Sequence, residues 1–222
     1  MRSSVAALVC AVLLLAGCTR LVAGTPSGAS LDCSRPSAQQ IVSCLSPALS
    51  KYWTGETGRT ITVNATVDPS PTAVPRACRG ALALRTAFTC PVDDRVYLTR
   101  PFVRRMLATG PPGQGWLRIA STLAHETGHV VQFVVHAPLI GKAHPSLAES
   151  RRIEQQADCL GGVWASAAGI AAHAFVAANK IVLRLVDNPR ERRTHGTAPA
   201  RLRAVRRGLT GDPAACGLTL RR

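Results

Sequence analysis

Residues His125, Glu126, Thr127, Gly128 and His129 have the types and spacing for one chemistry, the pattern His-Glu-x-x-His. On a helix, side chains four apart share a face, so the two imidazoles can meet one metal ion. Glu126, one step round, can reach water on that ion without being a ligand. Zinc fits the pattern: it lowers the pKa of a bound water toward neutrality, and a neighbouring carboxylate can take the proton as the oxygen attacks a polarised carbonyl. Ile119, Leu123, Val130, Phe133 and Val134 recur around the motif at helical spacing, which places it on such a helix.

A hydrolytic zinc site takes three protein ligands and keeps one position open. One known spacing puts a Gly three residues after the second His and a third His three beyond; Gln132 and Val135 stand there, so that class is excluded. His136, two turns on, is one candidate third ligand. Glu154 and Asp158 are the stronger one, two carboxylates four apart on a following amphipathic stretch. Glu154 can bind the metal while Asp158, one turn along, accepts the outer N–H of a ligand histidine and fixes its tautomer. The apolar run from Cys159 to Trp164 argues that this part of the helix is buried rather than a solvated charged face.

The elements that must position these groups follow from periodicity. Residues 37–53 have a helical apolar stripe, with Pro47 expected to kink or split it. Residues 61–67 alternate apolar and polar, a half-buried strand, and the prolines of 68–75 make a loop. Short strands are expected around 81–88 and 95–99, with a turn at 91–94. After the glycine- and proline-rich segment 110–115 the pattern turns helical, over 117–135, 147–168, 170–186 and 198–207. Strands first and helices after is an α+β order rather than an alternating one. No internal repeat is found.

The chain starts with Arg2 and an apolar run over 5–16, too short to span a bilayer and suited to an export signal. Leu15-Ala16-Gly17-Cys18 resembles the bacterial lipobox, which implies cleavage after residue 17 and lipid, palmitate included, on Cys18. Expected divisions are a signal over 1–17, a lipidated tether over 18–31 and one domain over 32–222. The protein is then held on the extracytoplasmic side of a bacterial cell membrane. A plain secretory signal with a free Cys18 is the alternative. Of the 8 cysteines, Cys33, Cys44, Cys78, Cys90, Cys159 and Cys216 remain in the domain. In an oxidising compartment they suggest three disulfides, with sequential pairing the most economical, although buried thiols are also open. The net charge is +15, with 27 Lys+Arg against 12 Asp+Glu, and arginines crowd the last 33 residues, Arg201 among them. Only 4% of residues are aromatic and no nucleic-acid module is found, so nucleic acid is excluded as a partner; anionic lipid or envelope polymers suit the charge better.

Three blocks together resemble the bacterial "putative neutral zinc metallopeptidase" family. These are His-Glu-Thr-Gly-His-Val-Val-Gln from His125, Arg-Ile-Glu-Gln-Gln-Ala-Asp-Cys-Leu-Gly-Gly-Val-Trp-Ala from Arg152, and His195-Gly-Thr with the segment from Arg201 to Cys216. Cys78 and the segment from Cys90 to Leu98 match as well. The resemblance covers 40–216 and implies a zincin-like α+β fold with a small sheet before the active-site helix. By that likeness His125, His129 and Glu154 hold one Zn2+, Glu126 is the general base, and Asp158 stands behind a ligand. The strand around 96–99 could be the edge along which an extended peptide pairs. The chain departs from the family in having Val130 where many relatives carry a further His, and Thr99-Arg-Pro-Phe where an acid is expected; Pro101 limits an edge strand there.

His195, in a loop before a helix, could swing in to stabilise an oxyanion or could pack locally. His136, His144 and His173 are expected at the surface or in the core. The expected function is a lipid-anchored zinc endopeptidase acting on peptide or protein substrates. The competing expectation is a non-enzymatic envelope-binding lipoprotein, with structural zinc closed by a fourth ligand such as His136 or His195.

Overall fold

The computed structural model describes residues 30–135 and 146–218. The expected signal, Cys18, nearly all of the tether, His136 and His144 lie outside the described residues. Ser37 caps α1 (Ala38–Thr57), its side chain accepting from the Gln40 amide, and Gly58 ends it at a φ of 62°. Pro47 lies inside α1 without dividing it. The helix buries Ile41, Val42, Leu45, Leu49 and Trp53 along one face.

The sheet is smaller than its sequence pattern suggests. β1 (Asn64–Val67), β2 (Ala87–Cys90) and β3 (Arg95–Leu98) are each 4 residues long. Their order is β1-β3-β2, with β1 parallel and β2 antiparallel to β3. β3 is therefore the centre and cannot be the edge a peptide pairs with; β2 is the edge on the site's side. Val96, Tyr97 and Leu98 are buried without alternation, as a strand covered on both faces must be. The first half of the strand expected at 81–88 is instead part of a 3-10 helix, Arg76–Leu84, tied back to β2 by the Cys78–Cys90 disulfide.

Pro101 begins a helix rather than limiting a strand. It sits in the first turn of α2 (Arg100–Ala108), where its missing N–H costs nothing. Then follow α3 (Gly115–Val135), α4 (Leu147–Ala167), α5 (Ala172–Val186), the short α6 (Pro189–Thr194) and α7 (Ala198–Gly208). Ser146 and Glu149 close a capping box at the start of α4. α3 and α4 pack closely at Gly128, where a Cβ would lie 2.9 Å from the Ala157 Cα. Gly208 of α7 likewise abuts the Cys159 carbonyl of α4, leaving no room for a side chain.

One core joins these layers through Trp53, Phe102, Met106, Leu123, Leu160 and Trp164. Disulfides pair Cys33 with Cys44, Cys78 with Cys90 and Cys159 with Cys216, the sequential pairing. Among the described residues, no helix is long and apolar enough to cross a membrane. The architecture is α+β and zincin-like, with a small sheet followed by a mostly helical part.

Candidate metal centre

α3 brings His125 and His129 to one face, their rings edge to face with centroids 4.9 Å apart. α4, packed against α3, delivers Glu154 between them. One ligand atom from each of His125, His129 and Glu154 lies within 4.8 Å of the other two. Glu154 Oε2 is 3.3 Å from Nε2 of both histidines.

Hydrogen bonds behind the rings set their tautomers. His125 Nδ1 lies 2.9 Å from Asp158 Oδ1. His129 Nδ1 lies 2.9 Å from Gln132 Oε1. The Gln132 amide nitrogen already donates to the Ile153 carbonyl and to Gln156 Oε1, so its oxygen must accept and His129 Nδ1 must donate. Asp158 is in turn gripped by Arg201 through two bonds of 2.8 Å, both residues being buried. With the Nδ1 protons committed outward, Nε2 of each ring faces Glu154.

Despite those short separations, Glu154 Oε2 is buried without a hydrogen-bond partner. Three imidazole nitrogens, those of His125, His129 and His195, crowd this carboxylate oxygen with no N–H well aligned to it, a cluster that favours positive charge at its centre. Burial opposes ionisation of Glu154, but His129, His125 and His195 outweigh it and hold the carboxyl well below the usual range. Burial likewise opposes a charged His125, yet Asp158 and Glu154 raise it to about 10. The negative field that holds a proton there also favours a divalent cation, and two imidazoles with one carboxylate form a donor set that zinc accepts.

Glu126 lines the same cleft and is 7% exposed. Its Oε2 accepts from Thr89 Oγ1 of β2 at 2.7 Å. His195, at the end of α6, puts Nε2 3.1 Å from Glu154 Oε2 and Nδ1 3.0 Å from Glu191 Oε2. It approaches the cluster without joining the three-donor group. Burial pushes His195 down to about 4, with Arg201, His125 and His129 adding to the effect against Glu154. Burial also raises the Glu191 carboxyl. His173 is exposed and is not among the residues that line the cleft.

The structure thus brings together His125, Glu126, His129, Glu154, Asp158 and His195. It adds Thr89, Gln132, Glu191 and Arg201, which sequence reasoning did not place at the site. Only Gln132 had a local signal, three residues after His129 on the same helical face. Arg201 was indistinguishable from the other tail arginines, yet Asp158 and its burial set it apart from them.

Comparison with known proteins agrees with this geometry. The family model described as "putative neutral zinc metallopeptidase" matches residues 70–218, which hold every residue of the cluster. Two curated relatives, each described as uncharacterized protein YpfJ, come from Escherichia coli strain K12 and Escherichia coli O6:H1. Both are 29% identical to the chain over 165 residues, 63% of this chain and 56% of theirs. The matched region therefore spans little more than half the length of those relatives. No solved structure matches the chain.

Proposed function

Because the chain belongs to the family described as putative neutral zinc metallopeptidase, we propose that it is a lipid-anchored, extracytoplasmic zinc endopeptidase with Glu126 as general base. The observation that carries this reading is the convergence of His125 Nε2 and His129 Nε2 on the buried Glu154 Oε2, in one cleft with Glu126.

His125, His129 and Glu154 would hold one Zn2+, and zinc there would supply Lewis acidity, polarising a scissile carbonyl and acidifying a coordinated water. The protein's own groups do the rest. Asp158 and Gln132 hold the ligand rings in the tautomer that turns Nε2 inward. Glu126, its carboxylate fixed by Thr89, takes the proton of the attacking water and passes it to the leaving amine. His195, which burial holds neutral, can carry its proton on Nε2, with Nδ1 accepting from Thr194 Oγ1, and present Nε2–H to the oxygen that gains charge. β2, the edge strand of the described sheet beside Glu126, offers backbone groups to an extended peptide.

Export and lipidation at Cys18 rest on the lipobox-like sequence, and association with anionic envelope polymers on the net charge of +15. The test of the peptidase reading uses the zinc-loaded full chain in detergent on a broad peptide library. Glu126→Gln is expected to keep stoichiometric zinc and to lose about 10²–10⁴-fold in turnover. Zinc retained by both proteins with equal cleavage, or no cleavage by either, would overturn the reading.

A further inference from the structure

The cleft extends beyond the metal centre, and its remainder has a different chemistry. Every charged or imidazole side chain lining it belongs to the cluster already described or to its supports, Glu191 and Arg201. The rest of the described lining is uncharged. α5 contributes Asn179, Val182, Leu183 and Val186, whose steps of three and four put them on one helical face turned to the cleft. Phe102 of α2 closes the same wall, and Ser121 and Thr122 of α3 lie about one turn before Glu126. Leu84, 41% exposed, stands among the lining residues as a large apolar side chain left in water.

We infer that this wall is a side-chain subsite for a large, uncharged apolar residue such as Leu, Ile, Met or Phe flanking the bond to be cut. The inference rests on the peptidase reading for the reaction, and on the lining alone for the selectivity. Its occupant follows from continuity with the metal centre: a backbone laid along β2 beside Glu126 must put a neighbouring side chain on some part of the adjoining wall. An apolar side chain there leaves water for contact with Phe102, Val182 and Leu183. A charged one on this wall is stripped of water with no counter-charge among Phe102, Asn179, Val182, Leu183 and Val186. Differences of about 10- to 200-fold between apolar and ill-fitting residues are what such a pocket supplies.

Two measurements on the zinc-loaded full chain test this. In a peptide library, cleavage should be enriched at least about tenfold for apolar residues at one position flanking the cut. Val186→Glu, at a half-buried position, should shift that preference toward Lys and Arg. Val182→Phe, which fills the wall, should shift it toward Ala and Val. Zinc content and melting temperature check that each variant folds; if Val186→Glu does not, Val182→Phe decides. Separately, the Glu126→Gln protein should bind leucine hydroxamate at least about tenfold more tightly than aspartate hydroxamate, read by calorimetry without turnover. Equal binding of the two hydroxamates, or cleavage with no apolar preference, or variants that leave the profile unchanged, would overturn the subsite. Absence of all cleavage together with selective hydroxamate binding would instead overturn the peptidase reading and leave the subsite standing.

Discussion

At the scale of single residues, the site depends on groups that touch no metal. Thr89 Oγ1 fixes one oxygen of Glu126, and a general base must be held within hydrogen-bond reach of the proton it removes. Thr89→Val keeps the shape and deletes the donor. Turnover is expected to fall about tenfold, the equivalent of one hydrogen bond of about 1.4 kcal/mol, with KM and zinc content little changed. Thr89→Ser should restore it, and a Ser variant as slow as Val would show that packing rather than the hydroxyl matters. Arg201 acts one step further back, through Asp158 on His125. Removing one member of a buried ion pair strands the other. Arg201→Met is therefore expected to cost about 3–5 kcal/mol of stability and to weaken zinc binding about 10–100-fold in a chelator competition. Unchanged zinc affinity would disconnect Arg201 from the centre. These supports explain where sequence reading stopped. His125, Glu126 and His129 are close in sequence and announce themselves by spacing, and Glu154 and Asp158 share one helical turn. Thr89 and Arg201 reach the centre only through tertiary contacts that no local period encodes.

At the scale of elements, the long helices were legible because each has an apolar face with a period near 3.6 residues. α3 and α4 begin within two residues of their expected starts. Short elements were harder. A three-stranded sheet of 4-residue strands gives too few alternations to order, and burial on both faces of β3 removes the alternation altogether. α2 was hidden because a proline can mark either a limited strand or a first helical turn. The α4–α7 crossing, which carries Asp158 on one side and Arg201 on the other, is locked in two ways. Gly208 lets the backbones touch, and Cys159–Cys216 ties α4 to the segment after α7 across 57 residues. In the chain-entropy account a closed loop of that length stabilises by about 4 kcal/mol. Replacing both cysteines by serine should lower stability by that order in denaturant unfolding. Because the crossing positions Asp158, zinc affinity should fall as well. A large loss of stability with unaltered zinc affinity would show that the metal centre holds its geometry without the tie.

At the scale of the whole molecule, two charge patterns oppose each other. The chain carries +15 overall, yet four of its 12 acidic residues, Glu126, Glu154, Asp158 and Glu191, line one cleft. The local field in the cleft favours a cation, while the field that a distant ligand meets is positive. Long-range fields act mainly on encounter and are screened within about 10 Å at 0.1 M salt, whereas buried contacts are screened far less. Ionic strength should therefore separate the two in the zinc-loaded full chain. For a peptide substrate of net charge about −3, kcat/KM should fall severalfold as salt rises from about 10 to about 200 mM, because the basic surface no longer gathers it. A peptide with the same cleaved bond and no net charge should change little, and a cationic one should gain. Zinc retention should stay constant over that range, since the residues that would hold the ion are packed inside the fold. If all three peptides respond alike to salt, the basic surface does not steer substrate, and the charge must be explained by what the protein rests against instead.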